Sequence, residues 1–109
     1  MAIYKEIECL LTEQGYSLSA IGASGFALKR NDALKLISLL EEIPTAILGG
    51  DVYFLKEGQL EVSYDNWYCN KLPDENYLNY VNRTHIIARN YIKNYRLMLD
   101  VTPIFDMTI

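Results

Sequence analysis

The chain reads as an α+β protein: a small antiparallel β-sheet of about three to four strands, with helices packed on one face, in the order α-α-β-β-α-β. Three observations carry that reading. Residues 46–69 hold the densest run of β-branched and aromatic side chains, broken at Lys56-Glu57-Gly58-Gln59 as a hairpin would be. Apolar residues recur at helical spacing on both sides of that run. Only one strand-helix-strand crossover is present, which favours antiparallel over parallel pairing.

Taken in order, residues 2 to about 14 form a short amphipathic helix. Ile3, Ile7, Leu10 and Leu11 line its dry side, Glu6, Glu8 and Glu13 lie toward water, and Gly15 stops it. Residues 16–25 form a connector rich in Gly, Ser and Ala, and 26–29 a short extended piece. Asn31 or Asp32 caps a second helix over about 32–42, buried through Leu36, Ile37, Leu39, Leu40 and Ile43 and ended by Pro44. After the hairpin, Pro73-Asp74-Glu75 signals the start of a long helix, since acidic residues suit the positive end of its dipole. That helix runs to about Tyr95 and buries Tyr77, Val81, Thr84, Ala88, Tyr91, Ile92 and Tyr95. Ile104, Phe105, Met107 and Ile109 mark 103–109 as a last strand beside the hairpin. No repeat or linker interrupts 1–109, which reads as one domain.

The hairpin decides the surface. Side chains alternate along a strand, so loop length sets which residues of its two arms share a face. An odd loop, such as Glu57-Gly58-Gln59, joins Val52 and Phe54 to Leu60, Val62 and Tyr64 on one apolar face. The other face then carries Asp51, Tyr53, Glu61, Asp65 and Trp67. An even loop would mix the two sets, so an odd loop is expected. Glycines inside a strand imply a close approach by something large, and Trp67, across the hairpin from Gly49-Gly50, is the candidate. A tryptophan folded over bare backbone competes there with a binding anchor.

Composition narrows the function classes. The 109 residues carry 10 basic and 14 acidic side chains, a net charge of −4. Phosphate binding needs clustered Lys and Arg, so nucleic acid is not the expected partner; a basic protein is, because opposite charge speeds encounter. No stretch approaches the ~20 apolar residues of a membrane span, and no apolar leader follows Met1, so a cytoplasmic protein free of the membrane is expected. Two cysteines, Cys9 and Cys69, suit reduced thiols rather than a disulfide framework.

Chemical motifs are sparse. His85 is the sole histidine, and it falls inside the long helix, where a packing role outweighs a Cys69–His85 nucleophile pair. No Cys/His spacing offers three or four metal ligands, and Gly49-Gly50-Asp51 lacks the rest of a phosphate loop. No metal, cofactor or catalytic residue is expected. Aspartates 51, 65 and 106 fall on strands that could neighbour one another, more consistent with a shared wet face than a shared proton.

Ile47-Leu48-Gly49-Gly50-Asp51-Val52-Tyr53, then Tyr64-Asp65-Asn66-Trp67-Tyr68-Cys69, a helix with Tyr91-Ile92 and a closing apolar strand together resemble the immunity protein 40 family over about 27–109. The family comprises bacterial proteins encoded beside polymorphic or contact-dependent toxins, which they neutralise. The resemblance implies a non-enzymatic protein that binds a cognate toxin domain, and it brings no catalytic residue with it. Joined to the hairpin reading, Asp51, Glu61 and Asp65 would meet basic groups of the toxin, with Tyr53 and Trp67 as aromatic anchors. A monomer is expected, self-association through the acidic, tyrosine-rich surface being the other state to test. A different class remains open: a small hydrolase or ligand-binding domain that gathers Asp51, Asp65 and His85 in a pocket.

Overall fold

The computed structural model describes residues 2–109. Helix α1 (Ala2–Gln14) is followed by β1 (Tyr16–Ser17), a 3-10 turn (Ser19–Ile21) and β2 (Phe26–Lys29). Helix α2 (Arg30–Leu40), β3 (Gly49–Lys56), β4 (Gln59–Tyr68), α3 (Tyr77–Asn94) and β5 (Thr102–Thr108) complete the chain. The five strands form one antiparallel sheet in the order β1-β2-β5-β3-β4. The α+β class therefore holds. The strand count rises from three or four to five because 16–29, read as connector and extended piece, supplies two short strands.

The last strand is interior. β5 lies between β2 and β3, setting Phe105 opposite both Leu28 and Val52. These three side chains point to the helical layer and are almost wholly buried with Leu10, Leu36, Ile37, Leu40, Ala88 and Ile92. In α2 the buried positions are Ala33, Leu36, Ile37 and Leu40, the spacing of a single helical stripe. Its cap departs from expectation. The helix begins at Arg30 after Lys29, which makes no side-chain cap bond, so Asp32 lies in the first turn instead of ahead of it.

Helix α3 likewise starts later than Pro73-Asp74-Glu75. Asn76 is its N-cap, and its side-chain oxygen accepts from the Asn79 N–H at 2.9 Å. Glu75 is instead held by Arg83 (2.7 Å) and by the Leu72 N–H (3.1 Å), which ties the loop to the helix. That clamp drops the Glu75 carboxyl to about 2, chiefly through the Arg83 hydrogen bond. The buried stripe is Tyr80, Val81, Thr84, His85, Ala88 and Ile92; Tyr77, expected in the stripe, is the first residue of the helix and is exposed. Thr84 fastens helix to sheet: its hydroxyl accepts from the Ile47 N–H (3.0 Å) and donates to the Val81 carbonyl (2.8 Å).

The hairpin register corrects the expectation of an odd loop. The turn is the two-residue pair Glu57-Gly58, both at positive φ (50° and 78°), the geometry that matches strand twist. Lys56 therefore pairs with Gln59, Tyr53 with Val62 and Phe54 with Glu61. Between Asp51 and Tyr53 the register shifts, and β4 gains two residues around Ser63, Tyr64 and Asp65. An even gain leaves side-chain parity unchanged, so Trp67, opposite Gly50, shares the helix-facing side with Val52. The mixed faces are tolerated because the sheet has a second apolar layer. Residues 16–25 fold across the other face and bury Leu18, Ala27 and Ile104, with Tyr53 and Leu60 packed against them.

Candidate functional site

The five residues expected on one outer face are divided between the two sides of the sheet. Trp67 is 7% exposed, stacked on Tyr91 at 4.6 Å between centroids and lying directly over Gly50. A side chain at Gly50 would overlap the indole ring, so the glycine is what lets the tryptophan lie flat. The backbone-packing reading of Trp67 is thus the one realised, with Gly50 rather than Gly49 beneath it.

Asp65 also faces the helices. It accepts from the Tyr95 hydroxyl at 2.5 Å, and Arg96 Nη2 stands 3.7 Å away. Burial and this bond push the Tyr95 hydroxyl up to about 12. Glu61, opposite Phe54, is exposed near the hairpin tip on the same side. Both belong to the helix-facing side, against the expectation.

Asp51 and Tyr53 do occupy the other face, and Asp106 joins them. Register places Asp51 opposite Asp106 on β5 and opposite Asn66 on β4. Asp51 is exposed, whereas Asp106 is half-buried. Burial, and then the neighbouring Asp51 charge, raise the Asp106 carboxyl to about 6. The Tyr53 hydroxyl is raised by burial and by the same two carboxylates. Among the described residues no Lys or Arg forms an ion pair with Asp51 or Asp106. The aspartate pair is therefore uncompensated negative charge on a face that the 16–25 segment covers toward the hairpin end, at Ile104, Tyr53 and Leu60.

Beyond that cover lies a shallow concavity of about 320 Å³, lined among others by Gly49, Asp51, Asn66, Tyr68 and Thr108. Tyr68 stands out at its rim, 74% exposed, and Tyr64, in the bulge of the same strand, is 87% exposed. Sequence reading put Tyr64 on the apolar face and gave Tyr68 no role, because it expected an odd loop where a two-residue turn sets their direction. Ser63 builds that bulge. Its hydroxyl donates to the Val52 carbonyl and accepts from the Asp65 N–H (3.0 Å), replacing ladder bonds that β4 forgoes.

The groups of a hydrolytic pocket do not converge. Asp65 lies behind the sheet, and His85 is buried in α3 with Nε2 donating to the Thr45 carbonyl at 2.6 Å. Cys69 is buried, with its sulfur accepting from Arg83 Nη1 at 3.1 Å. Among the described residues no three acidic, His or Cys side chains group as a metal site, and no helix is long and apolar enough to cross a membrane.

Fold and surface define the class: a small helix-backed antiparallel sheet whose distinctive groups are displayed on one uncovered face. A family model described as immunity protein 40 matches residues 17–109, and the chain belongs to that family. The match starts before Ala27 and so takes in the 16–25 layer as part of the family domain. Membership gives the chain a toxin-immunity role. Neither a curated protein nor a solved structure matches the chain.

Proposed function

We propose that the chain is a non-enzymatic inhibitor that binds and neutralises a cognate bacterial toxin domain, from a polymorphic or contact-dependent system, in the cytoplasm of the producing cell. The immunity protein 40 match over 17–109 carries this reading. The free thiols Cys9 and Cys69 suit that compartment. Of the residues first considered for contact, Asp51 and Tyr53 remain on the surface we assign to the toxin, while Glu61 lies on the opposite side near the hairpin tip. Asp65 and Trp67 act from behind, holding β4 to α3. A net charge of −4 and the uncompensated Asp51–Asp106 pair favour a toxin domain with a basic surface, whose encounter they would accelerate.

The test is co-expression of the tagged chain with the toxin domain encoded by the neighbouring upstream gene. The expected result is survival of the cells and co-purification of the two proteins. A chain that neither protects nor co-purifies overturns the reading.

A further inference from the structure

Strand β4 is the outer strand of the sheet, paired with β3 on one side only. Its turn fixes which backbone groups are left over. A two-residue hairpin makes the flanking pair, Lys56 and Gln59, mutually hydrogen-bonded, and alternation then turns the N–H and C=O of Leu60 and Val62 outward. Parity survives the bulge. Gly50 and Trp67 pair inward, Asn66 and Tyr68 turn outward, and the Cys69 N–H donates inward again to the Leu48 carbonyl at 2.9 Å. Among the described residues no backbone group bonds the outward main chain of Asn66 or Tyr68. The Leu60 end of the strand lies against the 16–25 layer, whereas Asn66 and Tyr68 are exposed. A bulge blunts a sheet edge where it sits, but this one leaves the step below it bare.

We propose that the outer edge of β4 at Asn66 and Tyr68 is a strand-addition site for an extended, cationic segment of the toxin. The inference rests on the binding role proposed above and names how the partner is held. Water serves these outward N–H and C=O groups in the free chain, and their spacing at alternate residues matches another extended chain, which supplies main-chain bonds while alternate side chains select. Every second side chain of the added strand would lie on the uncovered face, beside Asn66 and Tyr68 and over the concavity. A Lys or Arg there meets the Tyr68 ring and the unpaired Asp51 carboxylate. Tyr64 flanks the same edge, held at φ 67°, a left-handed conformation uncommon for an aromatic residue. A second copy of the chain is the poorer occupant, because each copy carries a net charge of −4 and the two would repel.

Residue-resolved amide exchange on the free chain, and on its complex with the inactivated toxin domain of the neighbouring gene, tests this. The Asn66 and Tyr68 amides should exchange freely alone and slow by about a hundredfold in the complex. A complex in which both still exchange freely overturns the inference and leaves the binding role standing. Absence of any complex overturns both. A free chain that is dimeric, with these amides already protected, identifies a second copy as the occupant and also overturns it. Two variants check the chemistry. Tyr68→Ala removes the ring, and Tyr68→Pro removes the outward N–H as well, at an edge position where proline is tolerated. Tyr68→Pro should bind at least about tenfold more weakly than Tyr68→Ala, and equal affinities contradict a main-chain contact.

Discussion

Trp67 is where one residue most changes the account of the surface. Its ring fills the gap between the bare backbone of Gly50 and the face of Tyr91, so truncation opens a cavity under α3. Trp67→Ala should cost about 3–5 kcal/mol, read as a lowered urea midpoint. A variant as stable as the parent would return Trp67 to the list of contact residues. That a glycine lay under the tryptophan was legible, because bare backbone in a strand invites a large neighbour. Which side the pair faced was not. Direction depended on Glu57-Gly58 closing a two-residue turn, and glutamate is a poor advertisement for the positive φ that it adopts there.

At the scale of elements, α1, the β3–β4 hairpin, the end of α3 and β5 were readable because each has a strong period. The 16–25 segment was not. Its Gly, Ser and Ala content reads as a connector, yet Leu18 from it is completely buried on the second sheet face. That hidden layer explains why Tyr53 and Leu60 can share a face with Asp51. The neighbouring strands β3 and β5 place two like charges opposite each other, which gives a signed prediction. Asp106 titrates at about 6 in the fold against an ordinary 3.8, so the folded state holds the proton more tightly. Its contribution is complete below the ordinary value and is lost as pH rises to about 6. Glu75 has the opposite sign and acts lower, between about 2 and its ordinary 4.5. Asp106→Asn should therefore flatten the fall in stability between about 4.5 and 6. Near neutral pH it should leave the protein more stable by about 1–2 kcal/mol after solvent screening. Urea midpoints across that range check this, and parallel curves for the two proteins contradict it.

For the whole molecule, the arrangement is asymmetric. Three helices and the tryptophan–tyrosine stack close one side of the sheet, while the other is half-covered and carries acid, amide and phenol groups around β4. On the function proposed above, such a molecule would neutralise by occupying its target, one copy for each toxin, whereas a hydrolase using Asp51 and Asp106 would turn over. Titrating a fixed amount of toxin domain with the chain and reading residual toxin activity separates the two most directly. The account predicts a linear fall that reaches zero at one chain per toxin. Complete loss of activity at a small fraction of that ratio would mean turnover and would contradict it.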